Sequence, residues 1–213
     1  MNRSTKIALG VTLLATAAAL YIRWRGRKDD TDAPSLLDTL TNQNIYHMDY
    51  DFSNIDILPL GYRSNNPVNI RYVDNNHDGK EDNGWRGLTG KVTTINGDYC
   101  TFRDILYGYR AALVLLRGRG YIGKGLNTIR KIITKFAPKD DHNDPAGYMQ
   151  RVCKTTGIDP DEVISKNDRD KLTRIVYAMS IVENGTKDKA GNSLEATYGL
   201  PSMDIINKAW EIM

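Results

Sequence analysis

The sequence predicts a mainly helical α+β domain with a small irregular or β lobe, preceded by one N-terminal transmembrane helix. Three observations support this prediction: an uncharged apolar run near the N-terminus, a turn-rich segment over 45–102, and helical spacing of apolar residues from 103 onward. They divide the chain into a membrane anchor (1–25), a polar tether (26–44) and a folded domain (45–213), which is long enough to bury its own core.

The predicted anchor is the run Ile7–Ile22, which carries no charge and has basic residues on both sides. Its 16 residues fall short of the roughly 20 that span a bilayer squarely, but snorkelling of the flanking Arg side chains would extend its reach. A cleaved signal peptide is the alternative, since Ala17–Ala19 offers small residues for cleavage. The basic run at 23–28 favours an uncleaved, single-pass anchor. Basic residues on both sides leave its orientation open: the slight excess on the C-terminal side would hold the body on the cytoplasmic side, and a periplasmic enzyme would need the opposite arrangement.

Composition excludes several classes of function. The net charge of +3 is nearly balanced and much of the excess lies beside the anchor, so we predict no nucleic-acid partner. Cys100 and Cys153 lack the spacing of metal ligands, and we expect two reduced thiols, with one disulfide as the alternative if the domain is exported. The sequence shows no Ser-His-Asp arrangement, phosphate loop or dinucleotide fingerprint, and we predict no cofactor.

The segment Asp74–Asp82 alternates Asp and Asn side chains around Gly79, as calcium loops do. The position of the bidentate Glu in such loops is occupied here by Trp85. We therefore expect a polar hairpin tip and predict no metal site, with a calcium loop as the alternative.

The turn-rich segment is rich in Asn, Asp and Gly and contains short apolar runs at Ile55–Leu60, Ile70–Val73 and Val92–Ile95, where small strands are expected. Beyond it, five segments combine apolar residues at helical spacing with a capping residue, Gly or Pro at one end or both. These segments are Ile105–Leu116 before Gly118, Ile129–Phe136 between Thr128 and Pro138, Pro145 to Gly157 after Asp144, Leu172–Val182 before Asn184-Gly185, and Ile205–Trp210 after Ser202.

The loop Ser64–Arg71, with the sequence SNNPVNIR, is the first candidate for function, together with Trp85 a little further on. Asn side chains before a Pro supply turn chemistry, because they can bind backbone groups that no strand or helix satisfies. Ordered polar loops of this kind often carry function. The alternative is a surface turn leading into a strand at Ile70–Val73.

Six short motifs follow one another along the body of the chain: NNPVNIR, WRGLTG, YGYRAALVLL, LNTIRKIITKFAP, DPAGYMQRVCKTTGI and VENG. In this order, over about residues 62–185, they resemble a family of bacteriophage virion structural proteins with a lysozyme-like domain. The chain departs from the family pattern at Val68, Phe136, His142 and Val182, where the pattern has Gly, Trp, Glu and His. The resemblance implies a lysozyme-like fold for 45–213 and a location in the virion, at the virion membrane or the host inner membrane.

The resemblance also implies an enzyme that cleaves peptidoglycan, as a muramidase or lytic transglycosylase, with Glu183 as the general acid. Such enzymes need a protonated carboxylic acid in apolar surroundings, and Glu183 lies in the last turn of the longest predicted helix. The alternative is a solvated or capping carboxylate, although the negative end of the helix dipole disfavours one there.

The remaining site residues and the partners follow from the same resemblance. Asn66, Asn69 and Arg71 would hold N-acetyl groups or sugar hydroxyls, Trp85 would stack on a sugar ring, and Tyr148 completes the substrate-binding set. The expected partners are peptidoglycan glycan strands, the membrane through the N-terminal helix, and other virion proteins, in a role that assists genome entry. The rival interpretation is a non-catalytic virion structural protein whose lysozyme-like domain is a binding scaffold; the departures from the family pattern and the lack of a second well-placed carboxylate favour it.

Overall fold

Seven α-helices and one two-stranded antiparallel sheet form the part of the chain that the computed structural model describes, residues 51–213 without 54, 119 and 142. The described residues belong to one compact unit with an α+β fold. The helices are α1 (Leu60–Arg63), α2 (Ile105–Arg117), α3 (Ile129–Phe136), α4 (Pro145–Thr156), α5 (Arg169–Asn184), α6 (Leu194–Tyr198) and α7 (Met203–Glu211), and the strands are β1 (Leu88–Thr94) and β2 (Gly97–Phe102).

The predicted membrane anchor (1–25) and tether (26–44) lie outside the described residues, as does the start of the predicted domain at 45–50. Among the residues that are described, no helix combines the length and the apolar character needed to cross a membrane.

All five helices predicted from apolar spacing are confirmed, as α2, α3, α4, α5 and α7. Each begins after a side chain that accepts a hydrogen bond from a backbone amide in the first turn, which satisfies one of the unpaired donors there. The capping residues are Asp104, Thr128, Asp144, Asp168 and Ser202. Helices α1 and α6 were not predicted, because four or five residues are too few to show a helical period.

The β lobe is smaller than the sequence predicts. Val92 lies in β1, but the predictions of strands at Ile55–Leu60 and Ile70–Val73 are wrong: the first forms turns that lead into α1, and the second contributes a single bridge to β2. The Asn66 side chain accepts a hydrogen bond from the Ile70 amide at 2.9 Å, so that amide is not available to a strand ladder.

Helix α5 lies at the centre of the helical part, where it contacts α1, α2, α4 and α7. Four residues of its predicted apolar stripe, Leu172, Ile175, Val176 and Met179, are at most 1% exposed, and the last, Val182, is partly buried. Because this face is packed on four neighbours, the C-terminal turn that carries Glu183 has a fixed position.

Candidate active site

The loop Ser64–Arg71 is fixed to β2 by the side chain of Asn66, which is fully buried. Asn66 Nδ2 donates to the carbonyl oxygens of Ile70 and Cys100, both at 2.9 Å, and its Oδ1 accepts from the Ile70 amide. The structure therefore places Asn66 in the core and outside the lining of the cleft described below. It positions the loop, and the prediction that it contacts substrate is corrected accordingly.

Close packing against α2 holds the same loop from another direction. A Cβ at Gly108 would overlap the carbonyl oxygen of Asn65 and approach Pro67 Cδ to 2.7 Å, so only glycine allows this contact. Asn65 is also fully buried and donates from Nδ2 to the Phe102 carbonyl at 3.0 Å. The NNPVNIR and YGYRAALVLL segments of the sequence meet at this contact.

Glu183 is held by the end of α5 and by its neighbour Asn184. Asn184 Nδ2 donates to the Pro67 carbonyl at 2.8 Å, which ties the last turn of the helix to the loop. Gly61 makes room for this side chain, because a Cβ there would overlap Asn184 Oδ1. The helix ends at Gly185, where φ is +71°.

Both carboxyl oxygens of Glu183 accept a hydrogen bond from a neutral side chain. Asn69, whose backbone has a left-handed φ of +50°, donates from Nδ2 to Oε2 at 2.8 Å, and the hydroxyl of the buried Tyr148 donates to Oε1 at 2.9 Å. Burial raises the pKa of the Glu183 carboxyl above its ordinary value, although these two hydrogen bonds and the charges of Arg71 and Arg151 act in the opposite direction. Glu183 therefore keeps its proton to a higher pH than an exposed glutamate does.

A cleft of about 390 Å³ opens beside Glu183. This size falls in the range of small-molecule sites. Of the predicted site residues, the structure brings Asn69, Arg71, Trp85 and Glu183 together in its lining, whereas Tyr148 contacts Glu183 without lining the cleft. The other lining residues are Ile70, Val73, Asn83, Tyr99, Leu115, Gly120, Tyr121, Lys135, Phe136, Ala137, Pro138 and Asn143.

The cleft combines one acid with aromatic rings and cations. Among the described residues that line it, Glu183 is the only carboxylate. The guanidinium of Arg71 lies 4.7 Å from the centre of the Tyr99 ring, and Lys135 Nζ lies 4.9 Å from that of Tyr121. These contacts fix two positive charges beside flat apolar surfaces.

Two buried polar atoms of cleft residues have no hydrogen-bond partner: the acceptor Oδ1 of Asn69 and the donor Nε1 of Trp85. Unpartnered buried groups are uncommon and costly, and they often mark places where a ligand or water completes the hydrogen bonding. One free acceptor and one free donor are what a secondary amide can satisfy.

Sequence reasoning missed Tyr121 and Lys135 as cleft residues. The apolar period of α3 places Ile132 and Ile133 in the core, and a Lys on its other face gives no signal in the sequence. Val182, one of the departures from the family pattern, is absent from the cleft lining, whereas Phe136 belongs to it. His142 lies outside the described residues.

Two other expectations concern thiols and metals. Cys100 and Cys153 are free thiols, as expected. Within the described part of the chain, no group of three or more His, Cys, Asp or Glu side chains could hold a metal ion. In the Asp74–Asp82 loop, the Asp74 carboxylate accepts hydrogen bonds from the amides of Asp78 and Gly79, both at 3.0 Å, so these oxygens stabilise the turn itself.

In comparisons with known proteins, no family model matches the chain, and no curated protein matches it. The function of the chain must therefore be argued from the geometry of the cleft.

Proposed function

We propose that this protein binds and cleaves the glycan strands of peptidoglycan, with Glu183 as the general acid. The protein would be a membrane-anchored phage virion protein with a lysozyme-like domain, and it would assist genome entry. The observation that carries the proposal is the environment of Glu183: a carboxyl group with a raised pKa, held by two neutral donors, at the edge of a cleft.

A glycosidic bond breaks when a protonated acid donates to the leaving oxygen, and an acid that is still protonated near neutral pH does this best. Burial of Glu183 favours that protonated form. Its attachment to the packed helix α5, and through Asn184 to the loop, keeps the carboxyl group in one position, which catalysis by proton transfer requires.

The substrate class is supported by the unpartnered atoms of the cleft. Asn69 Oδ1 is an acceptor and Trp85 Nε1 a donor, the two kinds of partner that the N–H and the carbonyl oxygen of an acetamido group require. The partly buried Trp85 lines the cleft and offers apolar surface to a sugar ring.

Glu183 is the single carboxylate among the described residues of the cleft lining, which favours the lytic transglycosylase type over a hydrolase that uses two carboxylates. In that reaction the sugar whose anomeric carbon loses the leaving oxygen closes on itself: its 6-hydroxyl oxygen forms a bond to that anomeric carbon as the glycosidic bond breaks. Glu183 gives its proton to the leaving oxygen and then takes the proton of the hydroxyl, so that the acid is restored.

The test is to incubate the full-length protein, in detergent, with purified peptidoglycan over a range of pH and to analyse the released fragments by mass spectrometry. We expect fragments that end in a 1,6-anhydro sugar, each lighter by one water than the corresponding hydrolysis product. Hydrolysis products would instead identify a muramidase, and intact peptidoglycan at every pH would contradict the enzymatic proposal.

A non-catalytic binding scaffold is the second candidate function, and the lack of a second carboxylate in the part of the cleft lining that the structure describes favours it. It predicts that a chitooligosaccharide shifts the NMR signals of Asn69 and Trp85 but is recovered unchanged. Turnover of any glycan that depends on Glu183 would exclude this candidate.

A further inference from the structure

A second pocket, of about 510 Å³, lies beside the C-terminal turn of α5 and shares no lining residue with the cleft. Helix α4 contributes Arg151, Lys154 and Thr155 to it, and the end of α5 and the residues after it contribute Ile181, Val182, Gly185 and Thr186. Since Val182 and Gly185 bracket Glu183 in the sequence, the pocket lies next to the candidate catalytic residue.

The lining of this pocket is positively charged, and none of its described residues carries a carboxylate. Arg151 and Lys154 are exposed, and neither forms a hydrogen bond or an ion pair with another described residue. Arg151 lies near enough to Glu183 for its charge to act on the pKa of that carboxyl group.

The other groups in the pocket are two hydroxyls and an apolar floor. The side-chain hydroxyls of Thr155 and Thr186 have no hydrogen-bond partner among the described residues. Ile181 and Val182 are only partly buried, although they belong to a helix that contacts four others. Such a combination suits a short anionic peptide, with carboxylates for the cations and small apolar side chains for the floor.

We propose that this pocket binds the stem peptide of peptidoglycan through its carboxylates, while the glycan strand to which the peptide is attached occupies the cleft. The inference rests on the proposed function, because the glycan strand in the cleft is what brings the peptide to Arg151 and Lys154. Recognition of the peptide would make the protein selective for glycan strands that still carry their stem peptides.

The test measures the affinity of the full-length protein in detergent, in a Glu183→Gln background that prevents cleavage. Three ligands are compared: a glycan oligosaccharide without peptides, the same glycan with stem peptides, and a form whose stem carboxylates are amidated. The double variant Arg151→Gln/Lys154→Gln is matched with Lys80→Gln/Lys166→Gln, which removes two exposed charges that line neither pocket.

We expect the Arg151/Lys154 variant to bind the peptide-bearing glycan roughly tenfold more weakly than the control and the peptide-free glycan equally well. Amidation of the stem carboxylates should weaken binding to the control by a similar factor, and salt should reduce the difference between the variants. Equal affinity of the two variants for the peptide-bearing glycan would overturn the inference.

A fourth ligand, the free stem peptide, separates this inference from the proposed function. If the peptide binds and depends on Arg151 and Lys154 while no glycan binds, the proposed function fails and the peptide site stands. If glycan binds with no effect of the two substitutions, only the peptide site is overturned. If neither glycan nor peptide binds, both are overturned.

Discussion

Two polar loops of similar composition have different fates in this fold. In the loop Ser64–Arg71, the first two Asn side chains form hydrogen bonds with residues far away in the sequence. Asn65 donates to a carbonyl group 37 residues away, and Asn66 donates to one 34 residues away. The loop Asp74–Asp82 is largely exposed, and the Asp82 carboxylate binds the amide of a residue only seven positions away.

This difference shows what a polar loop needs to form a functional site, namely attachment to the core. The loop Asp74–Asp82 is hydrogen-bonded within itself and to the two residues before it, Tyr72 and Val73. Such a loop is less constrained than one that is bonded to β2 and α5 and packed on α2, which is fixed relative to the helical core. Only the fixed loop presents a side chain, Asn69, to the carboxyl group of Glu183.

The largest expected effect is on activity and comes from Glu183→Gln. The variant keeps the shape of the side chain and loses the transferable proton, so peptidoglycan cleavage should fall by roughly two orders of magnitude or more. Folding should hardly change. The matched control is Glu195→Gln, at an exposed carboxylate of α6, which should keep full activity. Retained activity in the Glu183 variant would contradict its assignment as the general acid.

The next effect is on stability and comes from Asn66→Ala, which leaves a buried amide and two buried carbonyl groups without their side-chain partner. We expect the free energy of unfolding to fall by about 2 kcal/mol in urea denaturation. Asn75→Ala is the control in the exposed loop and should cost less than about 0.5 kcal/mol. An equal loss of unfolding free energy in the two variants would contradict the claim that only the loop Ser64–Arg71 is fixed to the core.

A smaller effect is expected from Asn69→Gly, which removes the amide and keeps the left-handed backbone without strain. Loss of a donor to the carboxylate should raise the pKa of Glu183 further, since this hydrogen bond lowers it. Cleavage should fall about tenfold, and the decline of the rate at high pH should begin at a higher pH. His77→Gly, at a left-handed residue of the exposed loop, is the control and should change neither quantity.

The smallest effect is expected from Asp82→Asn. One oxygen of this exposed side chain, Oδ2, accepts from the amide and from the side chain of Asn75, and the amide oxygen of Asn can accept both bonds. Melting temperature should fall by no more than about 2 °C, and activity should stay unchanged. A marked loss of activity would show that this loop also takes part in function.

The five longer helices could be predicted from the sequence, because each combines an apolar period with a capping residue such as Thr128 or Ser202. A strand at Ile70–Val73 could not be excluded from the sequence, since nothing there shows that the Asn66 side chain accepts the hydrogen bond of the Ile70 amide. Propensity describes a residue and its neighbours, whereas this bond depends on how the loop packs against β2.

The site could be predicted only in part. Glu183 and Asn69 were both candidates from the sequence, and the structure joins them by a hydrogen bond. The different roles of Asn66 and Asn69 were not visible, because both belong to one motif and only burial separates them. The pocket at Arg151 was missed, because two exposed basic residues on a helix give no signal of a site.

The most direct test of Glu183 as a general acid is a titration of its carboxyl group by carbon NMR, with the signal assigned by its absence in Glu183→Gln. We expect a midpoint above 4.5, the ordinary pKa of a glutamate, because burial raises the pKa by more than the hydrogen bonds from Asn69 and Tyr148 lower it. The rate of peptidoglycan cleavage should then fall as the pH rises through that midpoint, where the acid loses its proton. A midpoint at or below 4.5 would contradict the claim that the cleft holds a proton-bearing acid.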